Sequence, residues 1–113
     1  MNSFVESLPE VFERLGRIRT RRMFGGWGVY HEDRMFALVA SETLYLKVDA
    51  GNVADFDRLG LRAFEYTKDG RTMAMSYREA PVEIFEDRQE AALWGRRAYE
   101  AALRSGTPPK RSR

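Results

Sequence analysis

The sequence predicts an α+β fold in two layers: a five-stranded antiparallel sheet with helices packed mainly on one face. Three observations lead there. Apolar residues recur at spacings of three and four near both ends of the chain. Short runs of alternating apolar and polar residues lie between them. The connections between those runs are too short for a parallel crossover, which needs about a dozen residues or more. The predicted order is α-β-β-β-α-β-β-α.

The first helix places Phe4, Leu8, Val11, Phe12 and Leu15 on one face. Two starts fit a capping box, Ser3 with Glu6 and Ser7 with Glu10. Pro9 sits best in a first turn, which favours the second start or a break, and Gly16 is a natural stop. A strand-rich stretch follows from about Arg19 to Asp49. Its first strand, Arg22 to Tyr30, is interrupted by Gly25, Gly26 and Gly28, as expected for a bulge or a close backbone neighbour. His31 to Arg34 is a polar turn, with His31 expected to be exposed. Met35 to Ala40 and Thr43 to Val48 are the next strands, joined by a short turn at Ser41-Glu42. In the latter, Leu44, Leu46 and Val48 share one face, and Tyr45 and Lys47 the other.

Asn52 is placed to cap a short helix carrying Val53, Phe56 and Leu59, which Gly60 ends. Ala63–Thr67 and Thr72–Arg78 read as a hairpin around Asp69-Gly70, a pair that tolerates positive φ at both positions. After Pro81, Val82 to Phe85 reads as a single turn. Asp87 with Glu90 starts a long helix that stops near Gly106, with Leu93, Trp94, Ala98, Ala101 and Ala102 as its buried stripe. Residues 1–106 are expected to form one domain and 107–113 a disordered basic tail.

Composition narrows the function. The 113 residues are 43% hydrophobic and 32% charged, as in a globular domain. Cysteine is absent and histidine occurs once, so disulfides, thiolate sites and paired-histidine zinc sites are excluded. No apolar run is long enough to cross a membrane and no leader is expected, so the cytoplasm is the expected compartment. No catalytic residue, metal site or cofactor is assigned. The net charge is +2. The tail contributes Lys110, Arg111 and Arg113, and without it 16 basic residues face 17 acidic ones.

Some features invite function. Gly25-Gly26-Trp27-Gly28 lacks the Lys-Ser or Lys-Thr ending of a phosphate loop and runs into Val29 and Tyr30, so it reads as strand. No nucleophile-elbow pattern accompanies the serines, and the chain is expected not to be an enzyme. Arg17, Arg19, Arg21 and Arg22 are either a solvated, aggregation-blocking edge or a phosphate-contacting row. With Trp27, Tyr45 and Lys47 they form the candidate surface for a protein partner or nucleic acid. Tyr45, Tyr66, Tyr77, Met73 and Met75 alternate as core residues do, or as the face of a homodimer does.

Six pieces in order carry a family resemblance. They are Arg21 to Tyr30, Met35 to Val39, Leu44 to Asp49 with Asn52, Phe64-x-Tyr66, Ala74 to Tyr77 with Pro81, and Leu93-Trp94 with its alanine-rich continuation. Together they resemble the N-terminal domain of the TfoX/Sxy family over about Arg21 to Leu103. The resemblance implies a competence regulator that activates DNA-uptake genes together with a transcription activator protein. It also implies a two-layer fold like that of secretion chaperones, and a helical C-terminal domain that this chain is expected to lack. A non-catalytic docking module is therefore expected, with direct nucleic-acid binding as the alternative.

Overall fold

A computed structural model describes residues 3–23 and 25–105. The elements are α1 (Ser3–Val11), β1 (Arg19–Met23), β2 (Gly26–His31), β3 (Arg34–Ala40), β4 (Thr43–Lys47), α2 (Val53–Arg58), β5 (Ala63–Lys68), β6 (Arg71–Glu79), a 3-10 turn (Val82–Phe85) and α3 (Arg88–Ser105). Gly106 and the basic tail lie outside the described residues, as does the side chain of Met73.

The sheet has six strands in the order β1-β2-β3-β4-β6-β5, and every pairing is antiparallel. The expected count of five is corrected at the glycine run. Gly25 takes φ 65°, a turn conformation that glycine adopts without strain. The chain reverses there, and Arg19–Met23 pairs with Gly26–Tyr30 as a separate edge strand. Gly26 also meets the expectation of a close backbone neighbour, since a Cβ there would lie 2.2 Å from the Val39 carbonyl oxygen.

Three two-residue turns connect hairpins with positive φ at both positions: Glu32-Asp33, Ser41-Glu42 and Asp69-Gly70. Such turns match the right-handed twist of the strands they join. α1 uses the earlier of its two starts. Ser7 lies inside it, its hydroxyl donating to the Phe4 carbonyl at 2.7 Å, and the helix ends two residues after Pro9. Asp87 caps α3 as expected, accepting from the backbone N–H groups of Gln89 and Glu90.

The helices cover one face. Phe12, at the end of α1, meets Phe36 edge-on at 5.3 Å, and Phe56 of α2 meets Trp94 of α3 at 5.0 Å. Leu8, Val29, Leu46 and Ile84 complete a fully buried centre. α3 buries Ala91, Trp94, Gly95, Ala98, Ala101 and Ala102. Leu93, expected in this stripe, is 43% exposed. Gly95 faces inward instead, because even a methyl group there would come within 3.1–3.2 Å of Phe12 and Leu15.

Two other expectations are corrected. His31 is only 9% exposed. Its Nδ1–H donates to the Arg17 carbonyl at 2.8 Å, and its ring stands edge-on to Tyr99 of α3 at 4.8 Å. Asn52 makes no side-chain cap on α2. Its amide is a buried bracket: Oδ1 accepts from the Asp49 N–H at 2.8 Å, and Nδ2 donates to the carbonyls of Lys47 at 3.0 Å and Arg97 at 3.5 Å. Asn52 thereby ties the end of β4 to α3. Beside it, Arg104 grips Asp49 through two hydrogen bonds of 2.7 and 2.9 Å. The guanidinium holds the Asp49 carboxyl below its ordinary range.

Candidate functional site

The face of the sheet away from the helices carries the candidate site. Register places Arg19, Arg21 and Met23 of β1 on it, opposite Tyr30, Gly28 and Gly26 of β2. Leu38 pairs with Tyr45, Tyr45 with Glu79, and Lys47 with Tyr77, so these also share that face. Partners directly opposite in an antiparallel ladder point the same way.

This face is a cleft. Met23, Met35, Leu38, Phe64, Tyr66, Lys68, Met75 and Tyr77 line a cavity of about 440 Å³. Met23 belongs to one edge strand, and Tyr66 and Lys68 to the other. Five spacings of about 4.8 Å would set those edges about 24 Å apart in a flat sheet. The sheet therefore curls until both edges wall one cavity. Irregularities in the ladder account for the bend, because an extra residue on one strand kinks it and increases its twist. On one side, Val29 faces Ala37 and Tyr30 faces Met35, leaving Phe36 unpaired. On the other, Ala63 faces Arg78 and Glu65 faces Ala74. Met75, Ser76 and Tyr77 are thus crowded against Phe64 alone.

The cleft is apolar at its floor. Tyr77 and Leu38 are buried, while Met23, Tyr66 and Met75 stay 38–40% exposed. Tyr45 and Phe64 pack ring on ring at 4.9 Å. Lys47 bridges one end, with Nζ 5.1 Å from the centre of the Tyr77 ring while donating to the Ser76 hydroxyl at 2.7 Å. Burial, with a smaller contribution from Tyr30, pushes the Tyr77 hydroxyl up to about 12, so it stays a neutral phenol at physiological pH. Among the described residues, no group of three or more His, Asp or Glu side chains is placed to hold a metal ion. None of the helices described is long and apolar enough to cross a membrane.

The residues singled out from sequence divide between two faces. Arg19, Arg21, Tyr45 and Lys47 lie on the cleft face, with Arg19 paired to Asp33 at 2.9 Å. Arg22 and Trp27 form a facing pair turned to the helix side, the guanidinium 5.4 Å from the ring centre, and Trp27 also borders the cleft cavity. Arg17 precedes β1 and contributes its carbonyl to His31. Met23, Met35 and Leu38 were not among the candidates. Their signal was present in the alternation, but the curl that brings them to one cavity was not.

A family model for the TfoX N-terminal domain matches residues 10–102. The chain belongs to that family. DNA transformation protein TfoX1 of Aliivibrio fischeri is 32% identical over 93 residues, which is 82% of this chain and 44% of the relative. The chain thus spans less than half the length of this TfoX relative. The cleft is built by strands β1 to β6, which lie within the matched span.

Proposed function

We propose that this TfoX-type domain is a non-catalytic docking module that acts in transcriptional regulation of the competence kind. Its working surface is the concave face of the sheet, and its partner is a protein, in the first instance a transcription activator. The cleft carries this reading. It presents flexible thioethers and aromatic rings and no converging set of ionisable groups, which suits binding and not bond-making. The name of the TfoX1 relative supports a role in DNA transformation. The homodimer belongs to the same proposal through the outer edges of β1 and β5, which both end the sheet.

The second reading is direct contact with nucleic acid through β1. It is favoured by the exposed row of Arg19, Arg21 and Arg22 on an edge strand. The two readings separate in one experiment. Tagged full-length chain is used to capture partners from native lysate with and without nuclease, and the same protein is titrated with a mixed-sequence duplex at two salt concentrations. Docking predicts a protein retained after nuclease and no duplex binding even at low salt. Duplex binding that weakens steeply with salt, together with loss of the captured protein on nuclease treatment, would reverse the assignment.

A further inference from the structure

We infer that the cleft seats the apolar side of an acidic amphipathic helix. The inference rests on the docking reading and adds the chemistry of the partner. Its first support is the lining. The Met23 and Met35 thioethers converge over Gly28, where a Cβ would lie 2.8 Å from one sulfur and 3.1 Å from the other. Glycine leaves room for two unbranched side chains that repack around whatever apolar group enters. Phe64 and Tyr66 line the cavity from the β5 side, and Tyr77 lies in its floor. A curled sheet with its two edges raised presents a trough, and an amphipathic helix of about 10–12 Å diameter fills a trough by its apolar stripe. An extended peptide would instead add to a sheet edge.

The second support is charge. Arg21 on β1 and Lys68 on β5 stand on opposite rims, and neither has an ion pair among the described residues. Lys47 adds a third cation at the end of the cleft. Two acids near this face are engaged: Glu79 pairs with Arg62 at 3.6 Å and Asp33, in the turn after β2, with Arg19. Asp69 sits in the turn between Lys68 and Arg71, leaving that corner cationic. A positive rim around an apolar floor is the complement of a helix with leucines or phenylalanines on one side and carboxylates flanking them. A second copy would set identical cations against each other. Nucleic acid would meet a recessed floor in which the Tyr45 and Phe64 rings tilt 57° against each other and Tyr77 is covered, with no flat platform for bases.

The test uses the full chain and labelled probes read by fluorescence anisotropy. The main probe is a peptide of about 18 residues with Leu or Phe at every third and fourth position, Glu at the positions flanking that stripe, and Ala and Gln on the far side to favour helix. One control replaces Glu by Lys. A second replaces the apolar residues by Ser, which isolates simple attraction to the basic tail. Oligo-dT is the nucleic-acid arm. The acidic amphipathic helix is expected to bind and both control peptides to fail. The double variant Arg21→Glu, Lys68→Glu should weaken binding about tenfold or more, and Met75→Asp should weaken it with the far-ultraviolet circular dichroism unchanged. Equal binding of the Ser control, binding by oligo-dT alone, or a dimer in light scattering that the peptide dissociates would each overturn the inference. If none of the peptides binds while lysate capture of a nuclease-resistant protein persists, the acidic-helix chemistry is wrong and the docking reading survives.

Discussion

Phe36→Ala is expected to destabilise the fold by about 3–5 kcal/mol. Phe36 has no exposed surface and meets Phe12 edge-on. It is buried because of an irregularity rather than a regular alternation. Ala37 pairs with Val29 and Met35 with Tyr30, so Phe36 is the extra residue of the bulge. Phe36 and Ala37 both enter the core, while Met35 turns to the cleft. Removing the ring leaves a cavity between β3 and Phe12 at the end of α1. At about 4–8 °C per kcal/mol for a domain of this size, the melting temperature should fall by about 12–40 °C. Met35→Ala, one residue earlier, should cost less than about 1.5 kcal/mol. Urea unfolding of the two variants checks this. Equal losses would show that the bulge does not direct Phe36 inward.

Asn52→Asp comes second, at about 3 kcal/mol or more, although the side chain barely changes shape. Asn52 is 3% exposed, and its NH2 group donates to the Lys47 and Arg97 carbonyls. A carboxylate would set an acceptor against those two acceptors and bury a charge beside Asp49. Asn52→Ala should cost less, about 1–3 kcal/mol, since it leaves carbonyls unpartnered without adding a charge. The sign with pH separates the two. A protonated carboxylic acid regains one donor, and burial raises its pKa, so the aspartate penalty should shrink between pH 7 and about pH 4.5 while the alanine penalty does not. Denaturant midpoints measured against wild type at both pH values give the answer.

Much of the fold was written locally. In β4 and the residue after it, Leu44, Leu46 and Val48 alternate with Tyr45 and Lys47, and the structure places them on opposite faces as that period requires. Asp69-Gly70 marked its turn because glycine is the residue that accepts φ 77° freely. Glu32-Asp33 and Ser41-Glu42 adopt the same conformation without that marker; the second was still legible as a turn between Ala40 and Thr43, while around the first the strands run one residue further, to His31 and from Arg34. His31 stands next to such a turn, and its polar neighbours hid a burial that depends on Tyr99, far along the chain. Leu93 looked like core because it is apolar, but packing against Phe12 and Leu15 selects the smallest residue, Gly95. Of the site, the methionine and tyrosine alternation was visible. The cleft was not, because it arises from bulges at Phe36 and at Met75–Tyr77 that no local residue type announces.

On the proposed reading the concave sheet face, and not the helix layer, meets the partner. A photoreactive amino acid placed at Tyr66 or Met75 in the cleft, or at Val82 or Leu93 on the helix side, tests it in living cells. All four positions are exposed at their side chains. A nuclease-resistant protein cross-link is expected from positions 66 and 75 and none from 82 and 93. Cross-links confined to 82 and 93, or nucleic acid captured at 66 and 75, would contradict it.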